Sequence, residues 1–114
     1  MPALPGLLRQ RPAGSARDVF LHTAPGAAAD VAAGLAQCLG ARAQVHLVDD
    51  LVADGSFGKA GSRLRERLAD VCVLPGPGRM AWLRSAASVE QTFRGHHGGL
   101  HPDEVEIWVG ALEP

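Results

Sequence analysis

The sequence predicts a small α+β protein, an α/β sandwich with a β-α-β start and a mixed sheet of about five strands carrying helices on one face. Three observations lead there. The run Val19 to His22 is followed by an Ala-rich stretch at helical spacing and then by an alternating run, Val45 to Val48. Further short apolar runs recur between Gly and Pro punctuation, as strands do. The length of 114 residues suits one domain, and 46% of them are hydrophobic, enough for one core. With two Trp, three Phe and no Tyr, that core must be filled by Ala, Val and Leu, so burial of Trp82 and Trp108 would weigh heavily in it.

Residues 1–17 hold three prolines, two glycines and three arginines without periodicity, and read as a flexible leader or the remnant of a preceding domain. The single domain is then expected over 18–114. Its first strand is Val19 to His22. Pro25-Gly26 opens a helix with Val31, Leu35, Cys38 and Leu39 on one face, and Gly40 stops it. Val45 to Val48 is the second strand. Asp49 or Asp50 is placed to cap a short helix ending at Gly55, and Ser62 to cap another in which Leu64 and Leu68 share a face. Val71 to Leu74 is the third strand, closed by Pro75-Gly76-Pro77-Gly78, a turn whose prolines remove the N–H donors a phosphate cradle needs. Met80 to Arg84 and Val105 to Leu112 supply the fourth and fifth.

Composition also excludes. Eleven basic residues balance twelve acidic ones, with no basic stripe interleaved with aromatics, so nucleic acid is not an expected partner. No apolar run approaches the roughly 18 residues of a membrane span, and the Leu4 to Leu8 stretch is broken by Pro5 and Gly6, so a cytoplasmic protein is expected. Cys38 and Cys72, more than thirty residues apart, match neither zinc nor redox spacing and read as small apolar core residues. His22 and His46 lie at strand positions and read as surface or edge residues, and Arg63, Arg65, Glu66 and Arg67 as a solvated helix face.

Chemistry concentrates in Arg94-Gly95-His96-His97-Gly98-Gly99-Leu100-His101-Pro102-Asp103-Glu104. Neutral imidazole is a common metal ligand, and the glycines permit positive φ and close approach to an ion. A glycine- and histidine-rich connector between strands is equally consistent with a solvated loop. His97 and His101 stand four apart, but Gly98-Gly99 and Pro102 preclude a helical metal motif. Arg94 is a candidate phosphate or carboxylate contact, because a guanidinium binds either in bidentate fashion.

This segment, with the following Val105, resembles the closing motif of the alkaline phosphatase superfamily, in its bacterial nucleotide pyrophosphatase/phosphodiesterase-like branch. Asp18-Val19-Phe20-Leu21 through Pro25-Gly26-Ala27-Ala28, Leu39 to Ala43, Leu51 to Gly58 and Arg67 to Leu74 are similar in order to that branch's C-terminal third, so the resemblance covers about 18–112. It implies that His97 matches a ligand of one zinc in a two-metal phosphoesterase site, with His96 at a position that is usually small or polar. The family's other ligands and its nucleophile lie upstream. This chain has no Asp-His-Gly step and no paired metal carboxylates before a Thr or Ser nucleophile. It departs from the pattern at His101, usually Ser or Thr, and at Trp108, usually Pro.

Three readings follow in order. The chain is the C-terminal segment or a stand-alone relative of a metal-dependent phosphodiesterase/nucleotide pyrophosphatase-like hydrolase, inactive alone, supplying His97 to zinc whose other ligands lie outside it, with a catalytic partner domain. Alternatively it is a non-enzymatic α+β interaction module, homodimeric through a sheet edge, that has lost the site. The third is a single-zinc protein using His96, His97 and His101, since a catalytic zinc normally has three protein ligands.

Overall fold

A computed structural model describes residues 4–81 and 95–113, with the side chains of Pro5 and Arg65 outside the description. Its centre is a four-stranded sheet of β1 (Ala13–Ser15), β2 (Asp18–Leu21), β3 (Ala43–Leu47) and β4 (Val71–Pro75). The strand order is β1-β2-β4-β3 and every neighbouring pair is antiparallel. The α+β class is therefore as the sequence indicates, with four strands rather than five and an antiparallel rather than mixed sheet. The physical reason lies in β4. β2 and β3 run parallel, joined by α1 (Ala28–Leu39), but β4 inserts between them and opposes both.

Burial follows strand position. All five residues of β4 are buried, as a central strand flanked by two neighbours and covered on both faces requires. On one face, Val19 and Leu21 of β2 and Val71 and Val73 of β4 pack with Val31 of α1, and Ala28, Ala32, Leu35 and Leu39 join from the helix. On the other, Cys72 and Leu74 meet Val48 and Leu51 of α2 (Val48–Ala53) and Ala69, with Phe20, Phe57 and Leu68 at the margin. Helical segments thus cover both faces rather than one, because the period-two alternation of β4 is apolar at every position and exposes two hydrophobic surfaces.

α1 ends where Gly40 takes φ +54 and donates its N–H to the Ala36 carbonyl, the left-handed stop that glycine allows. Cys38, expected in the core, is exposed: it lies at the edge of the stripe in the last turn, where Leu39 takes the inward position. α2 begins after Leu47 with no side-chain cap, so Asp49 and Asp50 fall in its first turn. α3 (Ser62–Arg67) has Gly61 at its N-cap position instead of Ser62. Leu64 and Leu68 are half-buried, whereas Arg63, Glu66 and Arg67 are exposed.

The stretch expected as a leader contributes to the sheet. β1 pairs with β2 through Ala13↔Phe20, Gly14↔Val19 and Ser15↔Asp18, and Leu4, Leu7 and Leu8 pack against the first core. Arg9 donates to the Thr23 carbonyl at 3.0 Å and to Asp70 at 3.2 Å, while Asp70 also accepts the Thr23 N–H at 2.9 Å. Burial pushes the Asp70 carboxyl up, but the Thr23 N–H and Arg9 outweigh it and hold it below its usual value.

At the other end, Pro102–Val105 form one turn of helix, α4, and 106–113 carry no regular structure, so the expected strand Val105 to Leu112 does not form. Ile107, Trp108, Val109 and Leu112 are 84 to 98% exposed. A strand pattern without a neighbouring ladder leaves its backbone donors and acceptors to water. Of the expected strand Met80 to Arg84, Met80 and Ala81 are irregular and the rest, like Trp82 and Arg94, lies outside the described residues.

Leu21 is 1% exposed at the heart of the first core. Leu21→Ala is expected to lower unfolding free energy by about 2–5 kcal/mol, read as a shifted urea midpoint at unchanged slope; a shift under about 1 kcal/mol would place the core elsewhere.

Candidate functional site

The segment from Gly95 to Leu100 runs without regular structure and turns sharply at Gly98 (φ +101) and Gly99 (φ +86). Two constraints act at these positions. Positive φ is costly for residues with a Cβ, and a Cβ would strike the Asp18 carboxylate at Gly98 and the Glu104 carboxylate at Gly99. The glycines are therefore needed to bring the loop backbone against two carboxylates, one from β2 and one from α4.

Three contacts hold the loop down. The Ser15 hydroxyl lies within hydrogen-bond reach of both the His97 carbonyl and Asp18 Oδ1, while its oxygen accepts the Arg17 N–H at 3.1 Å. Both neighbours are pure acceptors, so the single hydroxyl proton is shared between them. Beyond the loop, His101 caps α4. Its Nδ1 accepts the Asp103 N–H at 3.2 Å, and the His101 N–H donates to Glu104 Oε2 at 3.3 Å, a capping box with imidazole in the usual hydroxyl's place.

Glu104 then meets Arg17, the third and strongest contact. Arg17 Nε donates to Oε1 at 2.6 Å and Nη2 to Oε2 at 2.8 Å, a bidentate fork, while Nη1 donates to the Gly76 and Arg79 carbonyls at 2.6 Å each. The side chains are only 10% and 19% exposed. Their mutual hydrogen bonds raise the Arg17 pKa and hold the Glu104 carboxyl below its usual range, two expressions of one ion pair. The Pro75-Gly76-Pro77-Gly78 stretch is a turn, as its sequence indicates, with the Arg79 N–H bonded to the Gly76 carbonyl at 3.0 Å, and its carbonyls serve Arg17.

Among the sequence candidates, His97 is exposed, His96 is half-buried, and His101 is half-buried with Nδ1 committed to the cap. Among the described residues, no three His, Cys, Asp or Glu side chains come together where they could hold one ion. The three loop histidines are close in sequence but do not form a metal centre by themselves. Zinc therefore finds no complete donor set among the described residues. His22 and His46 are half-buried, and His46 Nε2 bonds Gln44 Oε1 at 3.1 Å.

Beside the loop lies a cavity of about 190 Å³ walled by Phe20, Phe57, Cys72, Leu74 and Leu100. Burial, with a smaller push from Asp18, raises the Cys72 thiol to about 12, so it stays protonated at neutral pH and is no nucleophile. Arg17 is the residue that sequence reasoning missed. The available signal was Gly14-Ser15 just before Asp18 to Leu21, small turn-forming residues at the start of a hairpin, and at the cap the order His-Pro-Asp-Glu with Pro and Glu at their capping-box positions.

The Glu104 shift has a sign. A carboxylate held low in the folded state binds fewer protons there than when unfolded, so its stabilisation is complete above the ordinary glutamate value of about 4.3 and is lost as pH falls through the lowered native value. Glu104→Gln is expected to be less stable than wild type by about 2 kcal/mol at pH 7, and the gap is expected to close in acid. Urea titrations from pH 7 to pH 2.5 check this, and a gap independent of pH would contradict it. Comparison of the chain with known family models, characterised proteins and solved structures finds no match.

Proposed function

We propose that this chain is the closing segment, or a stand-alone relative, of a metal-dependent phosphodiesterase/nucleotide pyrophosphatase-like hydrolase. In this reading it is inactive alone and works in the cytoplasm beside a catalytic partner domain that carries the nucleophile and the remaining zinc ligands. The observation that carries the reading is His97. Its carbonyl is anchored by Ser15 and its position is fixed by a two-glycine turn, yet its side chain is exposed, with no complete ligand set around it among the described residues. In this reading the exposed imidazole on its anchored backbone is a donor that this chain offers to a site completed from elsewhere.

The chain's own residues have positioning roles in this reading. Arg17 and Glu104 hold α4 against the sheet, His101 starts that helix, and Gly98-Gly99 turn the chain so that His97 projects. Of the described residues, no helix is long and apolar enough to cross a membrane. The exposed apolar tail after α4 favours the second reading, an interaction module, and the two are compatible if the tail also serves association.

Zinc titration followed through histidine ring signals by NMR tests the proposal. Weak binding is expected to move His97 more than His22, His46, His96 or His101 and to be lost in His97→Ala, while neither protein hydrolyses bis(p-nitrophenyl) phosphate. Zinc shifts that bypass His97, or turnover by the isolated chain, would overturn it.

A further inference from the structure

The described residues carry two complementary surfaces. One is a cleft of about 400 Å³ on the first face of the sheet, floored by Val19, Leu21 and Val73 and walled by Leu35 and Leu39 of α1. Arg42 and Arg79 also line it, and both are exposed. The other is the tail Glu106-Ile107-Trp108-Val109-Gly110-Ala111-Leu112-Glu113, an apolar stretch between two glutamates. Ile107 is 84%, Trp108 87%, Val109 88% and Leu112 98% exposed.

We propose that the cleft receives the 106–113 tail of a second copy of this chain, giving a dimer in which each copy lends its tail to the other. Charge supports the match: Arg79 and Arg42, the latter also donating to the Cys38 and Leu39 carbonyls at 2.7 and 3.1 Å, line an apolar cleft, and two glutamates flank an apolar tail. The apolar complement agrees. One buried Trp contributes about 150–250 Å², so the two reciprocal Trp108 side chains supply about 300–500 Å² of the about 1,200 Å² at which specific interfaces begin, and Ile107, Val109 and Leu112 of each tail add to it. Reciprocal exchange also closes, so association stops at two copies instead of propagating into a filament. Contiguous exposed apolar surface of this kind marks an association site. This dimer does not depend on the phosphodiesterase reading, since it requires neither metal nor His97.

Sedimentation velocity over a concentration series tests it. Wild type is expected to show a concentration-dependent monomer–dimer equilibrium. Trp108→Asp, with circular dichroism confirming an unchanged fold, is expected to weaken the dimer at least about tenfold. Reversing Arg42→Glu with Arg79→Glu is expected to do the same, and adding Glu106→Arg with Glu113→Arg to that variant is expected to restore association. A wild type that stays monomeric, a dimer that survives Trp108→Asp, or a paired reversal that fails to restore dimerisation would each overturn the proposal.

Discussion

The ion pair between buried Arg17 and half-buried Glu104 is the constraint on which the arrangement of the candidate site depends. A guanidinium withdrawn from water is costly unless its donors are filled, and here four donor contacts are: two to Glu104 and two to the carbonyls of the 75–79 turn. One side chain therefore joins three segments that are distant in sequence: the β1–β2 turn, the end of β4 and the single helical turn before the tail. A four-residue helix has too few internal hydrogen bonds to hold its own position, so α4 is placed by this pair and by its cap. The histidine loop sits between these fixed points and inherits its course from them.

The sheet provides the rigid side of that arrangement. β4 is apolar at every position and lies between β2 and β3, so it buries both faces and separates two small cores. Neither core is rich in aromatics, and their stability comes from the close fit of Val, Leu and Ala, where each lost methyl group is felt. Among the described residues, no buried side-chain nitrogen or oxygen lacks a partner.

Much of this was legible in the sequence where local physics decides. The bounds of α1 follow from Pro25-Gly26 and Gly40, and β4 from a β-branched run ended by Pro-Gly. What was not legible depends on partners distant in the chain. β1 is Ala-Gly-Ser, without an alternating apolar pattern, and is a strand because β2 pairs with it. The β-α-β start did give two parallel strands, but a local pattern does not reveal that β4 comes between them. The tail reads as a strand and is not one, because a strand needs a neighbour. At the site, His97 is exposed, whereas His101 is a cap. Ser and Thr are ordinary capping residues, and here an imidazole nitrogen takes the role of their hydroxyl oxygen.

The most direct test of the central pair is a double-mutant cycle in urea at pH 7 combining Arg17→Met with Glu104→Gln. If the fork holds α4 and the loop to the sheet, the two substitutions are strongly non-additive, with a coupling energy of about 2 kcal/mol or more, because the first removes what the second would lose. Additive effects, within about 0.5 kcal/mol, would mean that the contact does not organise the site, and the loop's position would need another cause.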